Sequence, residues 1–143
     1  MVRLLRENDA QPTVIELNID TVLSLRHDGV DAIYGDATLK DTLEGAGVSR
    51  ARSLILTSAG MANSAQVIEF ARELNPNIRV LARAAHLRDQ QDLQGAGADT
   101  LYSGEGEVAL AFVEDIMDRL GATPEQIDRE RARAHDELFA GFG

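Results

Sequence analysis

The sequence predicts a doubly wound α/β fold, a parallel sheet with helices on both faces, and three observations predict it. Short, almost continuously apolar runs recur at Thr13–Leu17, Ala32–Tyr34, Ser53–Thr57, Ile78–Ala82 and Thr100–Tyr102. Helical patterns fill the intervals, and strands that are apolar along their whole length are those buried on both faces. Stop signals then follow the helical patterns in order: Gly29, Gly45 with Gly47, Asn75-Pro76, Gly95 with Gly97, and Gly121.

Taken in order, Val2–Asn8 reads as the last two turns of a helix, closed by the polar Asn8–Gln11 and Pro12. Asp20–Asp28 turns Val22, Leu23 and Leu25 toward a core, Leu39–Ala46 is a short helix, and Asn63–Leu74 sets Val67, Ile68, Ala71 and Leu74 at helical spacing. Gly106–Leu120 carries Ala109, Phe112, Val113, Ile116, Met117 and Leu120, a stripe wide enough to touch the sheet and a second subunit, and on this pattern alone simple cover of the sheet is the favoured reading over a dimer face. Thr123 as N-cap with Pro124 behind it opens a last helix running to Leu138. Charged nearly all round, that helix is expected to be a solvated arm or a lead into a further segment, and Gly141-Phe142-Gly143 a frayed end. Residues 1–121 form the expected domain and 122–143 a charged helical extension.

This order is Rossmann-like from its second strand onward. The strand that should come first, running into Gly-x-Gly-x-x-Gly, has no counterpart. The expectation is a chain that begins inside the first crossover helix. In the 3-2-1-4-5-6 strand order the first strand is central, so its two neighbours should face each other across unpaired edges. A strand from a neighbouring chain, re-pairing of those neighbours, or a swapped dimer would fill the gap.

Composition narrows the function. At 143 residues one core suffices, and the absence of cysteine removes thiolate catalysis, disulfides and cysteine-based metal sites. A net charge of −10 repels polyanions, so nucleic acid is not an expected partner. No apolar run approaches the roughly 18 to 20 residues of a membrane span. His27, His86 and His135 are far apart, and the only lysine, Lys40, lacks a phosphate-loop context.

The candidate site residues fall at strand ends. Glu16 closes an apolar run where a carboxylate can accept from ribose hydroxyls, twenty positions before Asp36 at the end of the next run. In Gly35-Asp36-Ala37-Thr38, Gly35 permits a turn close to a ligand, Asp36 can accept from an adenine amino group, Ala37 leaves room for a flat base and Thr38 can cap the following helix. A plain strand-to-helix turn explains the same four residues equally well. Thr57-Ser58-Ala59-Gly60 offers small residues for close approach, with Asn63 and Ser64 as caps, and Arg83 ends a strand where it can meet a phosphate or an acidic neighbour. Gly104-Glu105-Gly106-Glu107-Val108-Ala109 has the spacing of a phosphate loop, but its two carboxylates at a helix start repel phosphate. It reads as a self-capped helix.

With Glu16, Tyr34-Gly35-Asp36-Ala37-Thr38, Gly45-Ala46-Gly47, Leu54-Ile55-Leu56-Thr57 and Leu81-Ala82-Arg83-Ala84 in order, residues from about Val2 to Leu120 resemble a TrkA-N domain, the nucleotide-binding half of RCK regulators. Ala82-Arg83-Ala84 and the charged last helix are most similar to the C-terminal domains of Kef-type cation:proton antiporters. The resemblance implies a non-enzymatic, dimeric regulatory domain on the cytoplasmic side of the inner membrane, attached to or associated with a cation transporter. It implies NAD(H) or AMP as ligand, with Glu16 on the ribose, Asp36 on the adenine edge beside Gly35, Ala37 and Thr38, and Thr57 and Ser58 approaching from the next strand. Arg83 would lie near the ligand or the interface. Without the phosphate loop, binding is expected to be weakened or lost. A fragment of an NAD-dependent oxidoreductase would share Glu16 and the sheet but should bring an acid/base and a substrate domain. A phospho-receiver domain should place a lysine where Arg83 stands.

Overall fold

The computed structural model describes residues 1–58 and 62–140, so Ala59 and Gly60 of the small-residue turn, and the terminal Gly141-Phe142-Gly143, lie outside the described residues. Among the described residues five strands alternate with helices: α1 Val2–Glu7, β1 Thr13–Glu16, α2 Ile19–His27, β2 Asp31–Tyr34, α3 Lys40–Gly45, β3 Ser53–Leu56, α4 Ser64–Leu74, β4 Arg79–Ala84, α5 Gln90–Gly95, β5 Thr100–Ser103, α6 Gly104–Arg119 and α7 Pro124–Ala140. All ladders are parallel, as the apolar runs require. They form two sheets, β1–β2 and β3–β4–β5. The expected facing edges are therefore those of β1 and β3. Re-pairing of the two does not occur, since no ladder joins them.

Helices cover both faces. The main core gathers Leu43 of α3, Val48, Leu56 of β3, Val67, Ile68 and Ala71 of α4, Val80, Ala82 and Ala84 of β4, and Leu93 of α5, and Ile15 of β1 packs against it. Val22 of α2 and Ala32 of β2 are buried apart from that cluster. Because side chains alternate along a strand, Ile15 and its neighbour Val14 point to opposite faces, and Val14 is paired with Ala32. α2 thus closes one face of the β1–β2 sheet while α3 and α4 close the other.

Local chemistry fixes the helix ends. Asn18 caps α2, its side chain accepting from Thr21 N at 3.1 Å, and Gly29 follows the helix at φ +73°. Gly47, Gly97 and Gly121 also take positive φ, whereas Gly45 and Gly95 close helices in ordinary conformations. Asn63 and Thr38 do not cap as expected. Asn63 sits in the left-handed region without a side-chain capping bond, and α3 begins one residue beyond Leu39.

Asn75 does more than stop α4. Its Nδ2 donates to the Val48 carbonyl at 3.1 Å and the Ala51 carbonyl at 2.9 Å, and its Oδ1 accepts from Asn77 N. Asn75→Ala would orphan part-buried carbonyls and is expected to cost about 2 kcal/mol, measured as a shift in the urea unfolding midpoint followed by circular dichroism.

The last helix is not a free arm. Arg131 of α7 donates to Glu114 at 2.6 Å and Glu107 at 3.2 Å on α6, so α6 and α7 form a clasped hairpin about Gly121. Leu110 buries α6 while Ser103 caps it, accepting from Gly106 N at 2.9 Å, so the helix starts two residues before the expected Gly106. Val108, Phe112, Ile116 and Leu120 form an exposed stripe on α6 at four-residue spacing.

Candidate functional site

β1 and β2 deliver two carboxylates to one edge. Glu16 is the last residue of β1 and is in register with Tyr34, the last of β2; Gly35 N continues the ladder by donating to the Glu16 carbonyl at 3.1 Å. Two residues on, Asp36 turns the chain. Glu16 and Asp36 therefore leave adjacent strands at their carboxyl ends, where open α/β sheets bind ligands.

Each carboxylate is anchored through one oxygen. Glu16 Oε1 accepts from Asn18 N at 2.9 Å, and Asp36 Oδ1 accepts from Thr38 N at 2.9 Å and from the Thr38 hydroxyl at 2.7 Å. The second oxygen of each has no hydrogen-bond partner among the described residues and remains open to a ligand donor. The Thr38 hydroxyl, and then its backbone N–H, hold the Asp36 carboxyl below the usual carboxylate range. A lowered folded-state value stabilises the fold above the ordinary pKa of ~3.9 and loses that contribution as pH falls through it. The stability gap between wild type and Asp36→Asn is accordingly expected to narrow between about pH 7 and about pH 3, read from urea midpoints at each pH.

Gly35 and Ala37 have structural work to do. A Cβ at Gly35 would lie 2.9 Å from Thr42 Cγ2 of α3, so any side chain there would force the Thr42 side chain to shift, although the φ is one any residue adopts. Ala37 packs against the main core rather than opening space at the surface. Thr38 serves Asp36 instead of capping α3. Tyr34, 57% exposed beside Glu16, presents an aromatic face at the same edge; sequence reasoning gave it no separate role, because an exposed aromatic at a strand end has no spacing signal.

Thr57 and Ser58 follow β3 and are exposed, on the far side of the unbonded edges from Glu16. Arg83 is not brought to the carboxylates. It projects from β4, opposite Tyr102, with Nη2 3.8 Å from the position a Cβ would take at Gly104. The phosphate-like Gly104-Glu105-Gly106 turn is the self-capped start of α6, with Glu105 and Glu107 in its first turn. Two concavities of about 500 Å³ lie elsewhere, under the α6–α7 turn at Met117 and Gln126 and beside Arg6 and Pro12. Among the described residues no His/Asp/Glu cluster is arranged to hold a metal, and no helix is long and apolar enough to cross a membrane.

A family model described as the TrkA-N domain matches residues 1–104. The chain belongs to the TrkA-N family. Among solved structures it is similar to the TrkA-N domain of inner membrane protein ybaL from Escherichia coli, at 30% identity and TM-score 0.75 over 78% of this chain and 83% of that one. The same fold occurs in the Kef C-terminal domain of Shewanella denitrificans in its AMP-bound form, at 23% identity and TM-score 0.67 over 99% of this chain and 90% of the other. It occurs again in the GsuK channel bound to NAD, at 24% identity and TM-score 0.67, where the match spans 79% of this TrkA-N chain and 20% of the channel.

Proposed function

We propose that this TrkA-N domain binds an adenine nucleotide at the β1–β2 edge and regulates cation movement through a membrane transporter, from the cytoplasmic side of the inner membrane. The observation that carries the reading is the pair of carboxylates, Glu16 and Asp36, each tied by one oxygen and open at the other. Such acceptors suit the two donor groups of adenosine: Glu16 takes the ribose hydroxyls and Asp36 the exocyclic amine, with Tyr34 flanking the base. AMP in the Kef domain and NAD in GsuK support this ligand class. Thr57 and Ser58 would approach from β3. Arg83, on β4 of the other sheet, would serve an interface. Binding and release of ligand, rather than catalysis, is the chemistry that an array of tied carboxylates and hydroxyls supports.

The test is calorimetric titration of the chain with AMP, NADH and ATP. AMP and NADH are expected to bind, weakened to about millimolar because the described residues offer no phosphate loop; no heat from any of the three would remove the reading. Regulation requires that the nucleotide prefer one arrangement of the assembly, which we place in a homodimer through the α6 stripe. Phe112 is 65% and Ile116 56% exposed at its centre. Phe112→Glu is expected to convert dimer to monomer by light scattering, and a wild-type chain that is monomeric at all concentrations would contradict the pairing.

A further inference from the structure

β4 and β5 are paired in parallel, so the segments that leave their carboxyl ends meet. After β4 the chain makes a short 3-10 turn, Leu87–Asp89, and runs into α5; after β5 it enters α6 directly. The turn closes on itself, His86 N donating to the Asp89 carboxylate at 3.0 Å and Asp89 N to the His86 carbonyl at 3.1 Å. One side chain then reaches across. His86 Nδ1 lies 3.4 Å from Glu105 Oε1, in the first turn of α6, and both side chains are about half exposed.

The residue that follows this turn is buried unfavourably. Gln90 opens α5 and is 2% exposed, yet neither its Nε2 nor its Oε1 has a hydrogen-bond partner among the described residues. A buried amide in that position forfeits the bonds that water would give it. Lifting Leu87–Gln90 toward solvent restores them, while Leu93, in the main core, keeps the rear of α5 in place. The front of the segment is thus balanced between a closed position that strands an amide and an open one that hydrates it. A weak tie is enough to decide between two such positions.

We propose that His86 and Glu105 form a proton-operated latch on the segment Leu87–Gln90. With the imidazole protonated, Nδ1–H donates to the Glu105 carboxylate and the segment is held against α6. With it neutral the ion pair is gone, and the balance moves toward the open position. An imidazole changes charge between about pH 5 and pH 8, so acid closes the latch and base releases it; the pair is lost again where carboxylates protonate, about pH 4. Four other charges bear on the pair. Asp89 on the same turn attracts the cation, and Arg88, 3.8 Å from Asp89, offsets that attraction. Arg83 of β4, beside Gly104, repels it, and Glu107, the other carboxylate in the first turn of α6, is taken by Arg131 of α7. Glu105 is therefore the acceptor. The shift in population is that of one exposed ion pair, about threefold. This response to pH lies apart from Glu16 and Asp36 and is independent of the nucleotide reading.

The test is residue-resolved amide hydrogen exchange on the full chain without nucleotide, read as protection factors at about pH 5.5 and about pH 8. The amides to follow are Asp89 and Gln90, which donate to the His86 and Leu87 carbonyls. Their protection is expected to be about threefold higher at the lower pH in the wild-type chain, and equal at the two in Glu105→Gln. Gln90→Leu, which removes the stranded amide at similar volume, is expected to raise protection of the same amides at both pH values. Amides of Val67–Ala71 in α4 should show no dependence on pH. Wild-type protection that ignores pH would overturn the proposal, as would the same dependence in Glu105→Gln or one shared by α4. Lower protection in Gln90→Leu than in wild type would overturn it too, since the closed position would then not be strained by the amide.

Discussion

Arg72→Ala is expected to destabilise the domain by about 3 to 4 kcal/mol, because one guanidinium ties three segments together. From α4, Arg72 Nη1 donates to the Ile78 carbonyl at 2.6 Å and the Pro76 carbonyl at 3.1 Å, while Nη2 donates to the Gly97 carbonyl at 2.8 Å and to Asp99 at 2.7 Å. Nε adds a second bond to Gly97. The Asp99 carboxylate in turn accepts from Val80 N at 2.7 Å, so the same network sets the start of β4 against the loop before β5. Truncation would strand part-buried carbonyls and an aspartate together. With 27% of the side chain exposed, water recovers only part of that loss. Arg72→Lys should restore a minor fraction, since a single ammonium cannot span acceptors on opposite sides of a planar fork. Urea unfolding of the two variants measures both values; a loss below about 1 kcal/mol for alanine would show the network to be redundant.

The second large effect concerns the site. Asp36→Ala is expected to lower AMP affinity by about tenfold to a hundredfold, the weight of a hydrogen bond to a charged acceptor. It removes the open Oδ2 and the Thr38 turn together, so a control is needed. Thr38→Val deletes the 2.7 Å hydroxyl bond but leaves the carboxylate and the backbone N–H bond at 2.9 Å. Affinity should fall only a few-fold in that variant, an orientational loss. Equal losses in the two would assign the effect to loop geometry rather than to direct contact, and unchanged affinity for Asp36→Ala would move the adenine elsewhere.

Much of the fold was legible because its signals are local. The apolar runs at 13–17 and 53–57 became β1 and β3 to within a residue, and the expected helix over Asn63–Leu74 became α4. Gly29, Gly47, Gly97 and Gly121 stand at positive φ because a chain leaving a helix needs a residue free of the Cβ clash. Expectations failed where a short-range pattern has two solutions. Thr38 is a plausible helix cap in sequence, but the Asp36 carboxylate lies nearer and takes its hydroxyl. α6 begins at Gly104, two residues before the expected Gly106, because Ser103 supplies the capping oxygen from the end of β5. The all-round charge of α7 predicted a solvated arm; Arg131, Glu107 and Glu114 turned part of that charge into contact across the hairpin.

The sequence alone determined the order of strands and helices along the chain and the carboxylates at Glu16 and Asp36, because each follows from periodicity or from a residue's position at a strand end. Only the tertiary structure decided that no ladder joins β1 to β3, that the Thr42 methyl closes against Gly35, and that Arg72 joins segments more than twenty positions apart. These depend on which backbone atoms meet in space. Long-range carbonyl acceptors carry no residue-type signature, so nothing in a one-dimensional pattern announces them.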